Sequence, residues 1–90
     1  MVLAWPNKDP DEILDYIVDW TARLAGDTII SSVFTVPVGI TQNSAAFTAT
    51  KTTVWLSGGT LDSVYEVLNR VVTLGGRTMD QTVKIRIRRK

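Results

Sequence analysis

Side chains able to do acid, base or nucleophilic work are few in this chain, and their spacing decides how far each can be taken. Asp11, Asp15 and Asp19 recur every four residues, so on a helix they would share a face, where paired carboxylates can act as general acid and base. A solvated acidic face accounts for the same spacing and is the preferred reading. Asp9, Asp11 and Asp15 bring oxygen donors close in sequence, but the glycine and terminal glutamate of a calcium-binding loop are missing. Ser44, Ser57 and Ser63 have no histidine to activate them, since the chain contains none, and no serine sits in a Gly-x-Ser-x-Gly elbow. Gly58-Gly59 and Gly75-Gly76 lack the following lysine and helix of a phosphate cradle, so they read as turns. Cysteine is absent as well, so the fold must be held by packing alone, without the bridge of antibody domains. The expectation is a protein that is not an enzyme and uses no cofactor and no metal.

Binding is better provided for than catalysis. Lys84, Arg86 and Arg88 alternate with Val83, Ile85 and Ile87, and Arg89 and Lys90 extend the basic run to the end of the chain. Such a stripe could meet nucleic acid, but no aromatic residues interleave with it, and basic residues on an edge strand also guard against unwanted pairing. Edge protection or protein docking is preferred, and a nucleic-acid partner is not expected. Acids gather at the other end, as Asp9, Asp11, Glu12, Asp15 and Asp19, although the net charge is only +1. The opposed ends could meet head to tail between copies or pair within one chain as first and last strands, and both arrangements stay open. Of the three tryptophans, Trp20 is expected in the core. Trp55 lies between Val54 and Leu56 and suits core or interface equally, and Trp5 is expected to dock into a groove.

These residues need a scaffold, and 90 residues allow one packed domain. Hydrophobic residues at 44% and charged residues at 21% are ordinary for a globular protein. No apolar run approaches the roughly 20 residues of a membrane span, and the start lacks the pattern of a signal peptide, so a soluble protein made in the cytoplasm is expected. Residues 1–10, with Pro6 and Pro10, read as an N-terminal arm whose apolar residues Val2, Leu3, Ala4 and Trp5 either fold back on the domain or lie on another chain. Residues 11–90 read as the domain itself.

Asp11 to Ala25 is the ambiguous segment. Ile13, Leu14, Ile17, Val18, Thr21, Leu24 and Ala25 fit a helical stripe, whereas Leu14, Tyr16, Val18, Trp20, Ala22 and Leu24 alternate as a half-buried strand. Strand is preferred, because β-branched and aromatic residues are common here. Thr28 to Val36 is a strand ended by Pro37 and Gly39. Ala45 to Ser57 suits two short strands or one bent one, and Val64 to Leu74 places Tyr65, Val67, Asn69 and Val71 on one face. Gly75 and Gly76 are expected to supply the positive φ angles of a tight hairpin, after which Met79 to Arg88 forms the last strand. Strands at this spacing make an antiparallel sandwich or small barrel. The run Leu61 to Val67 narrows the choice to an all-β, immunoglobulin-like antiparallel β-sandwich. There a tyrosine two residues before the second cysteine position bonds back to the backbone upstream, and Tyr65 and Val67 would hold those places.

Taken together, Asp9-Pro10-Asp11-Glu12, Leu14-Asp15-Tyr16, Asp19-Trp20, Leu24-Ala25-Gly26-Asp27-Thr28-Ile29, Phe34-Thr35-Val36-Pro37, Thr53-Val54-Trp55-Leu56-Ser57-Gly58-Gly59 and Asn69-Arg70-Val71-Val72-Thr73 resemble a family of small virion proteins. These are the fibre-tail adaptor or neck-associated proteins of tailed bacteriophages and prophages, and the resemblance covers about residues 7 to 88. It implies an immunoglobulin-like structural subunit of the virion, present in several copies and arranged in a ring. Such a subunit bridges tail or neck to fibre or collar proteins, with no catalytic residue. The partner-docking residues expected from the chain itself are Val2, Leu3, Trp5, Trp55, Lys84, Arg86 and Arg88. A carbohydrate-binding or adhesion module is the alternative, since β-sandwiches also do that, but it needs two coplanar exposed rings on one face.

Overall fold

Alternating apolar and polar residues form strands because successive side chains leave the backbone on opposite sides. A computed structural model describes residues 3–90. Its strands are β1 (Leu3–Ala4), β2 (Leu14–Asp19), β3 (Ile29–Thr35), β4 (Ile40–Phe47), β5 (Lys51–Gly58), β6 (Val64–Thr73) and β7 (Thr78–Arg86), with a single helical turn α1 (Thr21–Leu24) after β2. Two sheets result, one ordered β1-β7-β6-β3 and the other β2-β5-β4. Every pairing is antiparallel except that of β1 with β7. The fold is all β, in two sheets.

The core lies where the inward rows of the two sheets meet. Val67 and Val71 of β6 and Val83 and Ile85 of β7, all without exposed surface, pack with Tyr16 and Val18 of β2 and Val54 and Leu56 of β5. On β7, which ends at Arg86 rather than at the expected Arg88, and in the two residues after it, the alternation read from the sequence holds: Val83, Ile85 and Ile87 are buried, while Lys84, Arg86 and Arg88 are exposed.

Several local readings need correction. Asp11 to Ala25 is neither one strand nor one helix. Strand parity holds from Leu14 to Asp19, and the Asp19 carboxylate then accepts hydrogen bonds from the Thr21 amide (2.9 Å) and hydroxyl (2.6 Å), which turns the chain into α1. Leu24 is therefore buried from a helical turn, and Ala25 and Gly26, both at positive φ, reverse the chain.

In β3, Ile29 and Phe34 are both buried although five residues apart, which a regular strand forbids. The pairing with β6 skips Ile30, and this one-residue bulge changes the parity and leaves Ile30 exposed. A second skip, at Asn43, bends β4, which begins at Ile40 and so earlier than the expected start at Ala45. The β6–β7 connection is a loop of Leu74, Gly75, Gly76 and Arg77 rather than a two-residue hairpin. Only Gly76 has positive φ there. Gly75 is required for space instead, since a Cβ would stand 2.7 Å from the Asp27 carboxylate.

Candidate docking surfaces

The described part of the N-terminal segment lies along the domain's own edge. Leu3 pairs with Val83 and Ala4 with Lys84, and the Trp5 amide donates to the Lys84 carbonyl at 2.9 Å. Further on, the Lys8 amide donates to the Arg86 carbonyl and accepts in return from Arg88 through its own carbonyl. Proline is tolerated at Pro6 because an outermost strand has no neighbour needing its N–H. Trp5 is half-buried. Its ring centroid lies 5.2 Å from that of Tyr16, and its indole N–H donates to the Ile17 carbonyl on β2 at 3.0 Å. One residue of the larger sheet's edge thus ties down the edge of the smaller. Val2, expected to dock, lies outside the described residues.

Lys8 was not singled out from the sequence, where it falls within the N-terminal arm of residues 1–10. It is fully buried, and its ammonium donates to the carbonyls of Gly58 (2.7 Å) and Asp9 (2.9 Å). Burial holds its pKa below the ordinary lysine value, against the opposing pull of Glu12. Among the described residues Tyr16 is the other buried ionisable group. Its hydroxyl has no hydrogen-bond partner among the described residues, and burial pushes its pKa up to about 12, so it stays protonated and offers no acid or base near neutral pH.

The opposed terminal charges meet within the chain, but only at their ends. The Lys90 ammonium is 2.9 Å from Glu12, and its amide donates to the Asp9 carboxylate at 2.9 Å. Hydrogen bonds from the amides of Lys90 and Asp11 hold Asp9 below the usual carboxylate range. Lys84 and Arg86 stay outside this arrangement. Among the described residues neither has a carboxylate within ion-pair distance, whereas Arg88 reaches Asp62 at 3.3 Å.

Expected docking residues converge on one groove. Trp5, Lys84, Arg86 and Arg88 line it with Ala4, Asn7 and Val64, around a volume of about 470 Å³ open to solvent. Leu3 lies farther along the same edge and lines a second depression beside α1. Trp55 is elsewhere. It projects from β5, the central strand of the smaller sheet, on the outward face opposite the buried Val54 and Leu56. Its cross-strand neighbours are Asp15 on β2 and Ser44 on β4. The structure therefore resolves the even choice for Trp55 in favour of a surface position, while Trp20, buried as expected, belongs to the core.

A family model described as podophage GP4 fiber-tail adaptor protein gp77 matches residues 8–86. The chain belongs to this family of phage fibre-tail adaptors. The adaptor match takes in β2 to β7 and includes Trp55, Lys84 and Arg86, while Leu3, Trp5 and Arg88 fall outside it. No curated protein matches the chain. Among the described residues of this adaptor, no group of histidine, cysteine or acidic side chains stands close enough to hold a metal ion, and no helix is long and apolar enough to cross a membrane.

Proposed function

We propose that the chain is a non-enzymatic structural adaptor of the virion, made in the host cytoplasm, that docks tail or neck to fibre or collar subunits through the outer surfaces of an immunoglobulin-like sandwich. The family match over residues 8–86 carries this reading. The immunoglobulin-like part is supported by strand order: with β2 to β7 taken as strands B to G, one sheet holds B, E and D and the other C, F and G, with β1 added beside G. It is supported also by Tyr65, two residues before the buried Val67, whose hydroxyl accepts a hydrogen bond from the Thr60 amide upstream at 3.0 Å.

Trp55, Lys84, Arg86 and Arg88 are the docking residues of this reading, in several copies per particle. Large aromatic and arginine side chains dominate the energetics of protein contacts, and here Trp55, Lys84 and Arg86 stand exposed on strands, where position is well defined, with Arg88 just past the end of β7. The carbohydrate-binding alternative finds no support in the two exposed rings, because Trp55 and Phe47 lie on opposite faces of the smaller sheet: Phe47 pairs with inward-facing Thr52.

Incorporation into particles tests the proposal. Trp55→Ala and the double variant Lys84→Glu, Arg86→Glu should fold with unchanged circular dichroism, yet co-purify with tail and fibre subunits much more weakly than the parent chain. Undiminished co-assembly of both folded variants would overturn the assignment of these surfaces.

A further inference from the structure

Charge is missing from one side of the sandwich. None of the residues 28–50 is charged, and this run forms β3, the connection 36–39 and β4. Val33 is 58% exposed there, Phe47 44%, and Val38 wholly so. A surface that exposes large apolar side chains and carries no charge has the composition of a protein contact.

β4 is the outermost strand of the smaller sheet, so one edge of its backbone has no neighbour among the described residues. The turn into β5 fixes which groups lie on that edge. The Thr48 amide donates to the Lys51 carbonyl at 2.8 Å, and antiparallel pairs alternate between bonded and unbonded. Ala46 and Ser44 therefore bond to Thr53 and Trp55, while Ala45 and Phe47 direct their N–H and C=O groups away from β5. Thr41 to Phe47 are all exposed. They include the inward-facing Ala45 and Phe47, although Val54 and Thr52 across from them are fully buried. Beside these residues a depression of about 230 Å³ opens between Ser32 of β3 and Ala45, Ala46 and Phe47. Outer strands are usually guarded by charge, proline or shortness. β2 carries Asp15 and Asp19, and β1 is two residues long and followed by Pro6. β3 is uncharged like β4, but its Phe34 is already buried. On β4 the bulge at Asn43 interrupts the edge and leaves Ser44 to Phe47 as the regular stretch.

We propose that the free edge of β4 takes an extended, uncharged segment of another virion protein, which adds as a strand beside Ser44 to Phe47 and sets an apolar side chain in the depression. Outward N–H and C=O groups on alternate residues match an extended backbone. An acidic or basic segment would find no counter-charge on this side of the domain. Apolar side chains alternating along the added strand would cover the inward-facing Ala45 and Phe47. That the partner is a virion protein rests on the adaptor reading, whereas the edge itself lies apart from the groove of Lys84 and Arg86.

Hydrogen exchange of the full chain, alone and with purified tail and fibre subunits, tests this when followed amide by amide by nuclear magnetic resonance. In the free chain the Ala45 and Phe47 amides should exchange fast at every concentration; with the subunit that docks here they should slow at least about tenfold. Ala45→Pro removes one outward N–H and keeps the bonds to β5. It should bind at least about tenfold more weakly, with unchanged circular dichroism. Should it fail to fold, Ala45→Lys guards the same edge with a charge. A complex in which Ala45 and Phe47 stay unprotected, or a folded variant that binds undiminished, overturns the edge contact and leaves the adaptor reading standing. If no subunit binds the chain, both fall. Protection that appears in the free chain and grows with concentration would assign the edge to a second copy and overturn the proposed partner.

Discussion

The indole nitrogen of Trp20 donates to the side-chain oxygen of Asn69 at 3.0 Å, joining the turn after β2 to the centre of β6 across the interior. The same Asn69 oxygen accepts from the Thr52 hydroxyl on β5 at 2.6 Å, and the Asn69 amide donates to the Ser32 hydroxyl and the Val33 carbonyl on β3. Asn69, Thr52 and Trp20 are all buried. Buried polar groups are costly unless each finds a partner, and a satisfied network of this kind admits few alternative registers. In a chain without cysteine, it ties the two sheets together by hydrogen bonds. Asn69→Ala should destabilise the fold by about 2 to 4 kcal/mol, because the Thr52 hydroxyl loses its acceptor in a dry site and the Trp20 N–H keeps only its longer contact to the Thr52 hydroxyl oxygen at 3.3 Å. Chemical denaturation monitored by tryptophan fluorescence measures it, and a cost below about 1 kcal/mol would show that water replaces the lost partners.

Tyr16 predicts the opposite sign. Its hydroxyl is buried without a hydrogen bond in the described structure, so removing it removes an uncompensated desolvation cost while the ring keeps its contact with Trp5. Tyr16→Phe should be neutral or stabilising by up to about 1 kcal/mol. A clear loss in the same denaturation assay would reveal a partner for the hydroxyl.

Neighbouring positions on β7 should respond very differently. Ile85 has no exposed surface, and truncation to alanine leaves a cavity costing about 2 to 4 kcal/mol. Arg86 faces solvent, and Arg86→Ala should change stability by less than about 0.5 kcal/mol. The reverse order in a denaturation series would contradict the register of β7.

The N-terminal segment is expected to matter for folding as well as for any docking. Removing residues 1–7 takes away the Trp5 ring, its hydrogen bond to Ile17 and the pairing of β1 with β7. The loss should be about 3 kcal/mol or more, in line with deletion of a large half-buried aromatic residue. A thermal melt of the truncated chain close to that of the full chain would mean that the segment's contacts are replaced by solvent at little cost.

Asp27 links stability to pH. Its carboxylate is held below the ordinary value of 3.8, first by hydrogen bonding with the Thr73 side chain and then by the Thr28 and Gly75 amides, with Arg77 beyond at 3.7 Å. A pKa depressed in the folded state means that the unfolded chain binds the proton more readily. The stabilisation is therefore complete above the unfolded pKa and fades as pH falls through the folded one. Asp27→Asn should be less stable than the parent at neutral pH, and the gap should close as acid is added below about pH 4. A gap that does not change with pH would place the effect in packing rather than charge.

The alternation of Val83, Ile85 and Ile87 against Lys84, Arg86 and Arg88 determined β7 and its buried face by itself, because strand geometry converts parity directly into facing. Tyr65 with Val67, and the strand parity of Leu14 to Trp20, were legible for the same reason. Parity fails where the backbone inserts a residue: the bulges at Ile30 and Asn43 depend on pairing with β6 and β5, which local sequence does not encode. Of the docking candidates, the sequence alone marked Trp5, Trp55, Lys84 and Arg86 as unusual side chains to expose or bury. For the two tryptophans, which way each points was a tertiary matter. Trp5 lies against Tyr16 because β1 pairs beside β7 and β2 edges the other sheet, while Trp55 faces outward because Val54 and Leu56 take the inward positions of β5. Lys8 is the extreme case. Nothing in a lysine between two prolines announces burial, and only the approach of the Gly58 carbonyl from a strand fifty residues away gives its ammonium a partner and makes the buried position tolerable.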